Sequence, residues 1–237
     1  MPFLLLYLVF KFIIFASVFI NKVFMKRNLF LAFLFFSSII AVSEDGIINL
    51  VKPNLNREGT VMQALLKRKS TREFSEKELD VKDLSDLLWS ANGINRVESG
   101  KRTAPSALNR QDIDIYVIML KGAYLYDAKE NCLRLVAKGD FRALVAGGQD
   151  FVLQAPLSLV LVSKTSKMGN VNDSRAMQMC AVDAGIVSQN ISIFCASANL
   201  ATVARASMDV EGLSKVLKLT PTQKPLMNHP VGYFIEK

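Results

Sequence analysis

A dense cluster of cations surrounds two small hydroxyls in residues 66–74, Leu-Lys-Arg-Lys-Ser-Thr-Arg-Glu-Phe, here called the basic segment. If its backbone is extended, alternate side chains face the same way, so Arg68, Ser70 and Arg72 share one face. Two guanidinium groups and a hydroxyl on one face match the oxygens of a phosphate dianion. The alternative is a solvated helix end, because cations are favoured in the last turn of a helix and short basic runs are common.

A second polar group lies in the loop over 102–111. Its side chains Ser106, Asn109 and Gln111 directly precede residues 112–120, whose branched and aromatic content predicts a strand. Amide side chains carry both donors and an acceptor, as the edge of a heteroaromatic ring with N–H and C=O groups requires. Taken alone, a polar loop before a strand does not define a binding site.

Two helices that flank the basic segment have clear boundaries in the sequence. Thr60 and Gln63 form a capping-box pattern ahead of a helix predicted over 61–67. Asp80 is the predicted N-cap of a second helix, over 81–92, which Gly93 ends. The other predicted strands cover 124–127, 133–137, 157–163 and 230–234, and the other predicted helices cover 141–154, 175–199 and 210–217.

The charge distribution argues against a nucleic-acid partner. The net charge is +8, but residues 1–43 contain four cations and no acid, so they supply half of it. The remainder is mildly basic, which fits an anionic cofactor or substrate better than a polyanion. Three cysteines without a Cys-x-x-Cys spacing indicate neither a disulfide framework nor a metal site. No metal is therefore expected.

The first 43 residues form a hydrophobic leader, with the true start predicted at Met25. A basic start, an apolar run and the small residues of Ala41-Val42-Ser43 are typical of a cleaved signal peptide. They predict a periplasmic or otherwise exported protein, with a linker over 44–59 and a domain over 60–237. A membrane anchor is the alternative, because about 20 apolar residues span a bilayer; a cytoplasmic protein is also left open.

The order of the two motifs resembles the FMN-dependent nitroreductase family. Arg68-x-Ser70-x-Arg72 is followed by Pro105-Ser106-x-x-Asn109-x-Gln111 and a strand. The resemblance implies that the first motif holds the FMN phosphate and ribityl end, through Arg68, Lys69, Ser70 and Arg72. It implies that the second motif contacts the flavin from the other subunit of an obligate homodimer, through Pro105, Ser106, Asn109 and Gln111.

Two later segments extend the resemblance. The helix over 175–199 resembles the central dimer helix of the family, and 200–209 resembles the strand and loop beside the reactive flavin nitrogen N5. Many members have glycine there, whereas this chain has Ala206 and Ser207, which keep a backbone N–H donor but not the conformational freedom of glycine. The short tail after the last strand resembles the short-form, thiazoline-oxidase-type branch, without the Lys-Tyr pair of that branch. His229 is predicted to lie in a surface loop.

The resemblance implies an α+β, three-layer fold with a mostly antiparallel central sheet flanked by helices. It also implies an FMN oxidoreductase that passes hydride or electrons from a reduced donor to a small acceptor, such as a nitroaromatic or a quinone, by a ping-pong mechanism. The cofactor carries this chemistry, so no catalytic acid or base is required. The alternatives are a non-catalytic flavin carrier and a dehydrogenase of azoline-like substrates. Because NADH and NADPH are absent outside the cytoplasm, the electron donor stays open.

Overall fold

The computed structural model describes residues 45–169 and 173–236. The leader, its cleavage motif and the alternative anchor therefore lie outside the described residues. The strands are β1 (Ile47–Asn49), β2 (Ile94–Arg96), β3 (Lys101–Arg102), β4 (Ile113–Met119), β5 (Gly122–Asp127), β6 (Cys132–Lys138), β7 (Leu157–Lys164), β8 (Leu200–Thr202) and β9 (Gln223–Tyr233). The α-helices are α1 (Val61–Lys67), α2 (Val81–Asn92), α3 (Arg142–Ala146), α4 (Ser174–Ser197) and α5 (Val210–Val216).

Seven strands form one sheet in the order β1-β6-β5-β4-β7-β9-β8, while β2 and β3 pair separately. Each described pairing is antiparallel. Alternation along β4 sends Ile115 and Val117 into a core with α2 and α4, and Tyr116 and Ile118 into a core with α3 and α5. Helices thus cover both faces of the sheet, which confirms the three-layer α+β prediction.

The two helices next to the basic segment have the predicted bounds. Thr60 and Gln63 form the capping box, with both reciprocal hydrogen bonds at 3.2 Å. The Asp80 carboxylate accepts from the Asp83 N–H at 2.7 Å and caps α2. Because these signals depend on side chains within one turn, the sequence alone located both helix starts.

Helix α4 is long and apolar enough to cross a membrane by length and composition alone. It packs instead against α1, α2 and the sheet. Its buried residues include Cys180, Val187, Ile191 and Cys195. The apolar character of α4 is therefore explained by its place in the core.

The segment predicted as one helix over 141–154 is divided. Helix α3 ends at Gly147, with φ 55°, and a short 3₁₀ turn follows over Asp150–Gln154. Gly148 also has a positive φ, of 83°. Adjacent residues in the left-handed region cannot continue a right-handed helix, so the prediction of a continuous helix was wrong.

Two strand predictions also required correction. The predicted linker over 44–59 contains β1, whose Ile48 pairs with Leu133 and is buried at the edge of the main sheet. The last strand begins at Gln223, seven positions before its predicted start at Pro230. Proline and polar residues hid this strand in the sequence, because pairing with both β7 and β8 overrides their low strand propensity.

Candidate functional site

The basic segment begins where α1 ends. Arg68 leaves the helical conformation, with φ −57° and ψ 121°. Further along, the Thr71 N–H donates to the Thr202 carbonyl at 2.9 Å, which fastens the segment beside β8. The helix-end alternative thus applies to Lys67, while the cations from Arg68 onward lie outside the helix.

The structure brings three of the four predicted phosphate ligands to one cavity of about 180 Å³, here called the basic cavity. Its lining residues are Arg68, Lys69, Ser70, Ser188, Gln189, Ser192, Thr202, Val203 and Ala204. An adjoining cavity of about 390 Å³ shares Lys69, Ser192 and Thr202. Neither lining contains a carboxylate, so the basic cavity favours an anion.

The fourth predicted ligand, Arg72, lies apart from the basic cavity. Its guanidinium stands 5.9 Å from the centre of the Phe151 ring. Arg205 approaches the same ring at 5.5 Å. Burial lowers the pKa of Arg205, and the neighbouring charge of Arg72 lowers it further. The two guanidinium groups make this region a second positive patch near the loop after β8.

That loop, residues 203–209, contains Ala206 and Ser207. Their side chains are exposed, and among the described residues neither backbone N–H donates a hydrogen bond. Asn228 of β9 fixes the loop. Its backbone exchanges two hydrogen bonds with Arg205, and its side-chain amide donates to the Ser207 carbonyl at 3.0 Å. Two N–H donors are therefore available on a fixed backbone.

His229 was predicted to lie on the surface, and this was wrong. The residue lies in β9 opposite Leu159 and is fully buried. Its Nε2 lies 2.7 Å from the Ser188 hydroxyl, and its Nδ1 lies 3.2 Å from the Thr202 hydroxyl. Burial lowers the pKa of His229 from 6.5 to about 3, so the imidazole is neutral at physiological pH.

The loop carrying the second motif is held in an unusual conformation. Leu108, Asn109 and Gln111 all have positive φ, between 47° and 53°. The Gln111 N–H donates to the Ser106 hydroxyl at 2.8 Å, and the Gln111 amide accepts from Arg102 at 3.0 Å. Several fixed hydrogen bonds therefore maintain a strained loop, a pattern that is typical of ligand-contacting segments.

Asp183 of α4 binds the backbone of the loop that carries the second motif. Its two carboxylate oxygens accept from the Ala107 N–H at 3.0 and 3.1 Å. Burial, chiefly, raises the pKa of Asp183 to about 6, and the neighbouring carboxyl of Asp112 raises it further. Asp112 is fully buried and accepts a hydrogen bond from the Ser163 hydroxyl. The loop is thus anchored to a buried pair of acids.

Within the described part of one chain, the two motifs line two different cavities. Pro105, Ser106 and Gln111 surround a small void beside Asp183 and Val187 of α4. The basic cavity instead contacts α4 at Ser188, Gln189 and Ser192. No residue lines both spaces, so the separate positions are those expected if the second motif serves another copy of the chain.

The donor set of the basic cavity fits the tail of FMN. Arg68 and Lys69 supply positive charge for a phosphate, and Ser70 adds a hydroxyl. Among the described residues neither cation forms an ion pair with a carboxylate, so both are available to an external anion. The hydroxyls of α4 add partners for a polyol.

Comparison with known proteins places this chain in a class of oxidoreductases. The Nitroreductase family model matches residues 65–233, so the chain belongs to the nitroreductase family. A proposed nitroreductase of Methanocaldococcus jannaschii, MJ1384, is 29% identical over 181 residues, which cover 73% of this chain and 90% of that protein. Members of the family are generally flavin-dependent oxidoreductases.

Solved structures agree with the family assignment. The crystal structure of a proposed nitroreductase from Ralstonia eutropha JMP134 has a TM-score of 0.76 and 35% identity, covering 84% of this chain and 94% of that chain. A chain of the Escherichia coli microcin synthetase McbBCD complex has a TM-score of 0.63 and 20% identity, covering 85% of this chain and 76% of that chain. The second likeness is one of fold.

Sequence reasoning missed several residues of the site. His229 and Thr202 were overlooked because their contact joins β9 to β8, a pairing that no local pattern indicates. Ser188 and Ser192 carried a readable signal, since they lie one turn apart on a helix that the sequence predicts.

Proposed function

We propose that this protein is an FMN-dependent oxidoreductase that works as a homodimer, taking hydride or electrons from a reduced donor and passing them to a small acceptor by a ping-pong mechanism. The observation that carries the proposal is the basic cavity. It combines Arg68, Lys69 and Ser70 with hydroxyls of α4, and no carboxylate lines it. Membership of the nitroreductase family, over residues 65–233, supports oxidoreductase activity.

The chain's own residues would bind and orient the cofactor. Arg68, Lys69 and Ser70 would hold the phosphate. Bound FMN would supply the transfer of hydride or electrons. The free backbone N–H groups of Ala206 and Ser207 would donate to the isoalloxazine ring of FMN near N5. Arg72 would place positive charge beside the same isoalloxazine ring. Pro105, Ser106, Asn109 and Gln111 would contact the ring from the second copy.

The donor and the compartment belong to the same proposal. If the leader directs export, NADH and NADPH are not available, and a reductant of another class must reduce the flavin. If the leader is absent or uncleaved on the cytoplasmic side, a pyridine nucleotide can serve. Adding NADH, NADPH or dithionite anaerobically to the purified protein and recording flavin bleaching distinguishes these cases.

The proposal is tested by the visible spectrum of the purified protein. We expect flavin absorption near one FMN per subunit, with less flavin retained in Arg68→Ala and Ser70→Ala. Lys129→Ala is the matched control, because Lys129 is an exposed cation that does not line the basic cavity. A colourless protein that binds no FMN would remove the proposal, and equal retention in all variants would remove the phosphate assignment.

A second measurement separates an enzyme from a flavin carrier. The bound flavin is photoreduced without oxygen and then mixed with a nitroaromatic or a quinone. We expect reoxidation faster than that of free reduced FMN, because the protein positions the acceptor over the ring. Reoxidation no faster than free flavin would identify a carrier.

A further inference from the structure

Helix α1 leads directly into the basic segment, yet its own packing holds it weakly. Within α1, which the structure describes in full, Ala64 is the one buried residue. A cleft of about 510 Å³ lies between α1 and the helices α2 and α4, with Val61 and Ala64 on one side and Trp89 and Phe194 on the other. Short helices are stabilised mainly by tertiary packing. The position of α1 therefore depends on the segments before and after it.

The chain is fixed on both sides of α1. After α1, the Thr71 N–H donates to the Thr202 carbonyl at 2.9 Å. Before α1, the capping box of Thr60 and Gln63 forms bonds within the helix and its cap, so it does not join α1 to another element. Arg57, three residues before Thr60, makes that connection.

Arg57 bridges two acids of α2 and lies against an aromatic ring of α4. Its Nε donates to Asp86 at 2.6 Å, and a terminal nitrogen of the guanidinium donates to Asp83. The two acids are three residues apart and therefore on one face of α2. The guanidinium carbon stands 5.2 Å from the centre of the Phe194 ring. We call these contacts the Arg57 bridge.

The two acids of the bridge are fixed by further hydrogen bonds. Asp86 is buried, and its other oxygen accepts from the Asn54 N–H at 2.8 Å. The other oxygen of Asp83 accepts from the Tyr233 hydroxyl of β9 at 2.8 Å. A lysine carries the same charge as Arg57 but lacks the planar fork that reaches both carboxylates while stacking on a ring. The bridge therefore requires arginine.

We propose that Arg57 is a positioning residue: the Arg57 bridge fixes the start of α1 and thereby places Arg68, Lys69 and Ser70 to hold the FMN phosphate. Arg57 does not line the basic cavity, so it acts through α1 rather than by contact with the ligand. This inference rests on the proposed function, in which the basic segment binds the phosphate. Without the bridge, α1 moves and the phosphate loses its ligands, while α4 keeps its place beside the rest of the cofactor.

The movement of α1 is measured by hydrogen exchange on the flavin-free protein. We expect the backbone amides over 60–69 to exchange about ten-fold faster in Arg57→Met than in the wild type, the effect of losing one charge-assisted hydrogen bond. Arg142→Met is the matched control. The Arg142 side chain is 18% exposed against 28% for Arg57, and it also donates through two guanidinium nitrogens to a carboxylate, that of Asp140. Equal exchange over 60–69 in the two variants overturns the inference.

The effect on the cofactor is measured as the preference for FMN over riboflavin, which lacks the phosphate. Both dissociation constants are determined by fluorescence quenching on the flavin-free protein. We expect Arg57→Met to weaken FMN about ten-fold and riboflavin much less, because only the phosphate ligands are displaced. A merely structural role of Arg57 would weaken both flavins equally, and that result overturns the positioning role.

A second substitution separates positioning from stability. Arg57→Met leaves the Asp86 carboxylate buried without its cation, which lowers the Tm. Adding Asp86→Asn removes that charge and keeps an oxygen for the Asn54 N–H, so the Tm should rise again. Hydrogen exchange over 60–69 and the preference for FMN should not recover, because the bridge is still absent. Recovery of all three would show that Arg57 acts through stability alone and would overturn the inference.

Arg57→Lys keeps the proposal testable if Arg57→Met does not fold. The lysine retains the charge beside Asp86 but loses the fork, so we expect the same changes at a smaller size, about three-fold. Unchanged exchange and unchanged preference for FMN in both Arg57 variants would overturn the inference alone.

The proposed function fails separately, if the wild type binds no flavin. Hydrogen exchange over 60–69 then decides the inference by itself. Faster exchange in Arg57→Met keeps the placement of the basic segment by the Arg57 bridge, and unchanged exchange overturns it.

Discussion

Arg205 is a buried cation whose hydrogen-bond partners are all neutral. Its guanidinium donates to the carbonyls of Val145 and Ala146 at 3.1 and 2.8 Å, and to the Asn228 side chain at 2.7 Å. It thereby satisfies the free carbonyls at the end of α3 and joins them to β9. Its function is to support the loop that presents Ala206 and Ser207.

Arg205→Met should lower the free energy of unfolding by about 1–3 kcal/mol, because buried carbonyls lose their donors. Arg72→Met is the matched control, since it removes an exposed guanidinium that approaches the same Phe151 ring and should change stability by less than about 0.5 kcal/mol. Urea denaturation measures both. Equal losses would show that the shared contact with Phe151, rather than the carbonyl bonds, stabilises this region.

The neutral state of His229 predicts a stability that depends on pH. Its pKa is about 3 in the folded protein against 6.5 in the free side chain, so the unfolded chain binds more protons between these values. The contribution of neutral His229 to the free energy of unfolding is present above pH 6.5. It is lost as the pH falls, by up to about 1.4 kcal/mol per pH unit. The stability difference between wild type and His229→Gln should shrink as the pH falls from 6.5 to 4; a constant difference would contradict the buried neutral imidazole.

The titration of Asp183 predicts that stability changes with pH in the opposite direction, over an overlapping pH range. Its pKa is raised from 3.8 to about 6, so the folded chain binds more protons between these values. The stability it contributes is present below pH 3.8 and is lost as the pH rises through about 6. Asp183→Asn keeps an oxygen for the Ala107 N–H but cannot titrate. Urea denaturation of both proteins from pH 4 to 7 should show that the free energy of unfolding declines more steeply with pH in the wild type than in Asp183→Asn. Parallel plots of this free energy against pH would contradict the shifted pKa.

At the scale of elements, the residues that end and join the helices decide the shape of the site. A Cβ on Gly147 would lie 2.9 Å from the Cα of Met208, in the loop that carries Ala206 and Ser207. Glycine therefore permits both the left-handed turn after α3 and the close approach of that loop. Gly148 also has a positive φ, but a Cβ there would meet no atom within 4 Å.

These two glycines form a matched pair of variants. Gly148→Ala carries only backbone strain, which costs about 1–2 kcal/mol for an L-residue in the left-handed region. Gly147→Ala adds a clash between backbone segments, so it should lose more stability and release bound flavin more readily. Thermal unfolding and flavin retention are measured together. If the two variants behave alike, the contact with Met208 does not position the loop.

The elements also show what the sequence could predict. Local signals, such as the Thr60 capping box and the Asp80 cap, gave the correct starts of α1 and α2. Features that depend on distant partners were missed: β9 contains Pro225 and Pro230, and its seven additional residues at the start form a strand because β7 lies alongside. The burial of His229 follows from this pairing, so it was equally hidden.

At the scale of the whole molecule, we propose that one chain supplies half of the site and a second copy supplies the rest. Helix α1, directly before the basic segment, exposes four apolar side chains, whose exposed fractions are 66% for Val61, 74% for Met62, 46% for Leu65 and 86% for Leu66. A contiguous apolar patch of this kind marks an interaction surface. Among the residues that the structure describes, the motif over 105–111 and the basic segment line different cavities. A second copy would cover the patch and would bring its own loop to the basic cavity.

The last prediction therefore joins assembly to cofactor binding. Leu66→Glu places a carboxylate on the apolar patch without altering Arg68, Lys69 or Ser70, and burying that charge at an interface is costly. We expect the wild type to be a dimer by light scattering, and Leu66→Glu to be a monomer with FMN affinity reduced about ten-fold or more. Val97→Glu is the control, because Val97 is 86% exposed in a separate turn, and it should remain a dimer with flavin. A Leu66→Glu monomer that holds FMN as tightly as the wild type would mean that one chain completes the site, and the contacts from 105–111 would have to be abandoned while the basic cavity remained.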